Sequence, residues 1–173
     1  MYRQIYDSHA SLMRFLAEIH MPFPRVLSAT SEFVVNASLK RAFEDEPLDL
    51  GRIASLLDAA RRENLNLDVP GLSYALTGRI NSLMQAFAAM PEDMETLERM
   101  NQIFTTIQSL PFRLNLWKVQ NLYYGMTLTL YPQMAAKQDA RSRQWVRLFT
   151  ELGGKLGISL RSLPAPQPQA AVA

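Results

Sequence analysis

Apolar residues recur along this chain at spacings of three and four, and nowhere in sustained strict alternation. That period stacks side chains on one face of an α-helix, whereas a half-buried strand needs a period of two. Asn-Gly and Asp-Gly pairs, the strongest short signals for a hairpin, are absent. The chain is therefore expected to be all-α, with prolines marking where one helix stops and the next begins. Its 173 residues, 48% of them apolar, suffice for one domain with a single core.

Proline and capping signals divide the sequence into six or seven helices. The first is expected from Tyr2 to His20, with Ile5, Leu12, Phe15, Leu16 and Ile19 as its stripe. Met21-Pro22-Phe23-Pro24 interrupts it, because a residue before proline is biased away from helix. Pro24 suits the opening of a second helix running to Phe43, with Val26, Leu27, Thr30, Phe33, Val34 and Ala37 on one side. Asp49 is placed to cap a third, with Leu48 and Ile53 as a hydrophobic staple and Leu50, Leu56, Leu57 and Ala60 inward. Asn64 suits a left-handed C-cap.

Asp68 opens the fourth helix, whose expected core face is Leu72, Leu76, Ile80, Leu83, Phe87 and Met90. Pro91 is placed in the first turn of the fifth, where Glu92, Asp93 and Glu95 favour the positive helix end. Met94, Leu97, Met100, Phe104 and Ile107 follow. The sixth runs from Leu116 to about Tyr131, where Pro132 is expected to kink or end it. A last helix, from about Ala140 to Leu156, carries Trp145, Leu148, Phe149, Leu152 and Leu156. The helical bundle is thus expected over 1–160, and the Pro- and Gln-rich residues 161–173 should be an extended, disordered tail.

Composition narrows the chemistry. With no cysteine there is no disulfide, thiolate metal site or cysteine nucleophile, which fits a cytoplasmic setting. Eighteen Lys and Arg against sixteen Asp and Glu leave +2. The cations are scattered rather than clustered, so nucleic acid is not an expected partner. No cationic start precedes an apolar block and no run of about 18 apolar residues occurs, so neither signal peptide nor membrane span is expected.

His9 and His20 are the only histidines. On one helix they would stand about 16 Å apart, too far to share a metal. Glu44, Asp45 and Glu46 read as a solvated charge run rather than two carboxylates opposed across a cleft. Phosphate-binding glycine loops and the nucleophile elbow are missing. No catalytic residue, metal or cofactor is assigned.

One segment stands apart: LPFRLNLWKVQNLYYGMTLTLYP, Leu110 to Pro132. On a helix Trp117, Asn121, Tyr124 and Leu128 share a face, with Gln120 and Tyr123 beside it and Asn115 at the start. Aromatic rings next to Asn and Gln amides suit a sugar surface, the rings stacking on C–H faces and the amides meeting hydroxyls. The same residues equally suit a core or domain interface in which the indole and phenol find partners at its edge. Asn115 also reads as a helix cap, and Gly125 as a point of close helix approach. Asn115, Trp117, Gln120, Asn121, Tyr123 and Tyr124 are the candidate ligand or domain-interface residues.

LNLWKVQNLYY, from Leu114 to Tyr124, resembles the signature region of the helical C-terminal domain of proteins related to glycoside hydrolase family 57, a domain without assigned function. PFPRVLSATSEFVVNASLKRAFE (Pro22 to Glu44), LDLGRIASLLDAA after it, and WVRLFTELGGKLGISL (Trp145 to Leu160) agree with it, so the resemblance covers about Ile5 to Leu160. It implies a parent polypeptide whose N-terminal catalytic barrel acts on α-glucans or related α-linked sugars. The nucleophile and acid/base carboxylates would sit in that barrel, so none carries over to this chain. The implied role is a non-catalytic accessory domain packing on the barrel or framing its cleft, with the barrel and an oligosaccharide as partners. A free-standing protein-interaction module is the rival reading.

Overall fold

The computed structural model describes residues 1–19, 21–137 and 139–159. Among these are seven α-helices and no strand: α1 (Tyr2–Glu18), α2 (Arg25–Glu44), α3 (Leu50–Arg62), α4 (Val69–Ala89), α5 (Met94–Gln108), α6 (Trp117–Ala136) and α7 (Ala140–Lys155). The all-α architecture is as expected. His20 and the tail from 161 onward, on which two expectations fell, lie outside the described residues.

Aspartates set most helix starts. The carboxylate oxygens of Asp49, Asp68, Asp93 and Asp139 accept from the backbone N–H of Arg52, Gly71, Glu95 and Ser142 at 2.9, 3.2, 3.1 and 2.9 Å. Each satisfies a donor that the first helical turn leaves open. Asp93 is thus the cap of α5, and Pro91 stands in the preceding turn rather than inside the helix. Asn64 takes φ 50° after α3. The Leu65 N–H then reaches the Ala60 carbonyl and the Asn64 N–H that of Arg61, at 2.9 and 3.3 Å. This pair of bonds is the Schellman closure. α6 does not end near Tyr131: it passes through Pro132 to Ala136.

The described residues group into two compact units. Residues 1–79 with 110–114 form the first, in which α2 packs against α1 and α3. Its buried residues include Met13, Val34, Val35, Leu39, Phe43, Ile53 and Leu57. Each large apolar side chain withdrawn from water contributes roughly 1.5–3 kcal/mol. Val26 and Phe33, expected inward, are 72% and 58% exposed. α2 is covered by two neighbours, so its buried arc is turned toward Ser31, Val35 and Leu39, and Phe33 instead meets the Tyr2 ring at 5.0 Å. Phe15 and Ile19 are also exposed, and Met13 is the buried residue of α1.

Polar side chains fix the α3–α4 connection to α2. The Asn66 side-chain amide and backbone N–H both donate to Glu32 Oε1, at 2.7 and 3.2 Å. Asn36 donates to the Asn66 carbonyl at 2.9 Å and accepts from the Asp68 N–H at 2.8 Å. The acidic run is indeed exposed, with Asp45 paired to Arg52 and Glu46 to Arg79.

The second unit comprises residues 80–109 and those from 115 onward, with α7 packed against both α5 and α6. The predicted α7 stripe of Trp145, Leu148, Phe149, Leu152 and Leu156 is buried throughout. The Phe149 ring stacks between Trp145 and Tyr123 at centroid distances of 4.5 and 4.3 Å. The Trp145 indole N–H donates to the Pro91 carbonyl at 2.6 Å, so the turn before α5 is anchored by α7. Buried Asn101 of α5 donates to the Leu148 carbonyl at 3.0 Å, and Lys155 Nζ donates to the Asn101 carbonyl at 2.9 Å. On α4, Met84 rather than Leu83 is buried, and Met90 is exposed beyond the helix end.

Candidate functional site: the aromatic face of α6

α6 begins where Asn115 turns its side chain back on the chain. Its Oδ1 accepts from the Trp117 N–H at 3.1 Å, but Leu116, not Asn115 as expected, occupies the N-cap position. From there the helix sorts its aromatic and amide residues onto two sides. Trp117, Tyr124 and Leu128 are 71%, 42% and 50% exposed, and Asn121 is exposed between them. Spacings of seven and four residues keep these groups on one outward stripe.

Gln120 and Tyr123, which the sequence placed beside that stripe, belong to the packing side. The Gln120 side-chain amide donates to the Leu156 carbonyl at 2.9 Å, closing an open acceptor at the end of α7. Tyr123 is fully buried, and its hydroxyl donates to the Phe149 carbonyl at 2.8 Å. Burial, and next the nearby Tyr131, pushes its phenol far above the ordinary range, so it stays a neutral donor. Opposite it stands Gly153, where a Cβ would run into the Tyr123 hydroxyl. Of two adjacent tyrosines, one is therefore a core residue and the other a surface one. Residues 100° apart on a helix cannot both face the same way. Among the described residues nothing lies within 4 Å of where a Cβ at Gly125 would stand, so the expected close helix approach is not seen there.

The stripe combines an indole, a phenol, an aliphatic side chain and a primary amide. Such a surface can cover apolar area on a partner and supply hydrogen bonds at its rim. Among the described residues no group of three or more His, Cys, Asp or Glu is arranged to hold a metal ion. No described helix is long and apolar enough to cross a membrane.

No protein-family model, curated protein or solved structure matches this chain.

Proposed function

We propose that the chain is a non-catalytic helical docking domain that seats the outward face of α6 against the catalytic barrel of a family 57-like glycoside hydrolase, in the same parent polypeptide. The observation that carries the reading is the sorting of α6: Trp117 is displayed while the adjoining Tyr123 and the more distant Trp145 are spent on the core. Large exposed aromatics on a helix face are typical anchors of interfaces. The resemblance supplies the partner, and with it α-linked glucans as the substrate class handled by that partner. The rival reading, a free-standing interaction module, uses the same face with a different protein.

Iodide quenching of tryptophan emission tests this directly, because Trp117 is open to the quencher and Trp145 is not. Mixing the chain with a purified family 57-type barrel should protect the quenchable fraction, and Trp117→Ala should abolish the association. Continued full quenching in the presence of the barrel refutes the docking role. Maltooligosaccharide at millimolar concentration should protect Trp117 only if the stripe also lines the sugar cleft. The chain alone should release no reducing sugar from α-glucan. Turnover abolished by a point change within it would overturn the non-catalytic assignment.

A further inference from the structure

Beyond Ser159, the last described residue, the chain reads LRSLPAPQPQAAVA over 160–173. Proline stands at every second position from Pro164 to Pro168. Runs of this kind favour polyproline II, an extended form without internal hydrogen bonds that loses little freedom on docking. Surfaces that take such segments are lined by aromatic rings. The outward stripe of α6 presents two, Trp117 and Tyr124, with the Leu128 side chain and the exposed Asn121 amide among them. Gly125, one turn from both Asn121 and Leu128, leaves a dip in that surface where a Cβ would meet no described atom within 4 Å.

The point at which the tail starts ties it to this stripe. The Gln120 amide holds the Leu156 carbonyl at the end of α7, and the Ile158 N–H folds that end back onto the Gly153 carbonyl at 2.8 Å. Gln120 stands one turn along α6 from Trp117 and about 60° round it. The chain therefore leaves α7 beside the beginning of the stripe, within one compact unit. The lengths also agree. Trp117 to Leu128 covers about 16 Å along the helix, and Leu163 to Pro168 in polyproline II covers about 16 Å as well. The steps from Ser159 to Leu163 reach about 13 Å, which suffices to pass from the Gln120 flank to Trp117.

We propose that the proline-rich tail of this chain lies along the α6 stripe, with Pro164 against the Trp117 ring and Pro168 near Leu128. The inference rests on the reading of this stripe as a docking face and adds its regulation: the tail holds the place that an external partner must take. The tether gives the tail an effective concentration on the order of millimolar, matched to the weak affinity of one short segment. The face is then covered about half of the time, and a partner binds about twofold more weakly than it would to a face left bare.

Because the chain has no cysteine, Ala170→Cys places a single nitroxide on the tail. Amide NMR signals of Asn121, Tyr124 and Leu128 should be broadened by it. The broadening should fall at least twofold when Trp117→Ala is added, and likewise when Pro164, Pro166 and Pro168 are all changed to alanine. In the unlabelled full chain the same triple change should raise iodide quenching of Trp117 about twofold, with helical circular dichroism unchanged. Broadening that neither set of changes reduces, or quenching that the triple change leaves as it was, overturns the proposal. So does broadening in an unlabelled chain mixed with a labelled one, which would make the occupant the tail of a second copy. These measurements contain no barrel, so a negative result leaves barrel docking standing, and a barrel that fails to bind leaves the tail result intact.

Discussion

Gly153→Ala should destabilise the protein even though alanine is the better helix former. A Cβ at this position would collide with the Tyr123 hydroxyl and lie 2.9 Å from Tyr123 Cζ and 3.1 Å from the Ile158 carbonyl oxygen. Tyr123 has little room to yield, because its ring is stacked on Phe149 and its hydroxyl is bonded to the Phe149 carbonyl. Overpacking of this kind costs about 1–3 kcal/mol. Displacing the hydroxyl forfeits a hydrogen bond worth about 1 kcal/mol net, and the helix-propensity gain returns about 1 kcal/mol. The expected loss is therefore about 1–3 kcal/mol, read as a lower urea midpoint at unchanged slope by circular dichroism. Tyr123→Phe alone should cost about 1 kcal/mol. In the Tyr123→Phe background Gly153→Ala should cost less by about 1 kcal/mol, since the nearest obstructing atom is gone. A stabilised Gly153→Ala protein, or strictly additive effects, would show that the hydroxyl does not sit against this glycine.

The two tryptophans should behave oppositely. Trp145→Ala is expected to cost about 3–5 kcal/mol, while Trp117→Ala should stay within about 0.5 kcal/mol, both by urea unfolding. Asp93 and Asp139 are held below the ordinary carboxylate range, the first chiefly by the Thr96 hydroxyl and the second by the Ser142 backbone N–H. Their stabilisation is present above the unfolded pKa and is lost as pH falls through the lower folded one. The Asp93→Asn, Asp139→Asn double variant should accordingly lose less stability than the parent below about pH 4, and parallel acid profiles would contradict this. Glu63 has the reverse sign: its raised carboxyl favours the fold below the unfolded pKa, and that advantage disappears as pH rises through the folded value. Glu63→Gln should thus be the more stable protein at neutral pH, with the difference closing toward pH 4. A difference independent of pH would remove Glu63 as its cause.

What the sequence made legible was whatever a single helix decides by itself. The α7 stripe, the Asp49 cap and the left-handed Asn64 depend on local spacing and backbone chemistry, and the structure has them all. What escaped were choices made by neighbours. On α2 the run from Phe33 to Val35 offers apolar residues to three directions, and only the positions of α1 and α3 decide that Phe33 remains outside. On α6 the adjacent tyrosines are equivalent by composition. The cue that separates them is Gly153, a helix away, whose missing side chain makes space for Tyr123. Asparagines that bridge segments were equally opaque: half-buried Asn36 and buried Asn101 look like solvent-facing amides until their partners on other segments are known. Of the two outcomes expected at Pro132, a kink or an end, the helix does not end there but continues to Ala136.

The anchoring of the α3–α4 connection gives that segment an unusual sensitivity to length. Surface connections generally accept an extra residue at small entropic cost. Here Asn66 and Asp68 address acceptors and donors on two residues of α2 that are one helical turn apart, Glu32 and Asn36. An insertion between Asn64 and Asp68 would displace one of those addresses whichever side it entered from. Evolutionary or engineered variation in this stretch should therefore take the form of substitution, with the number of residues held fixed.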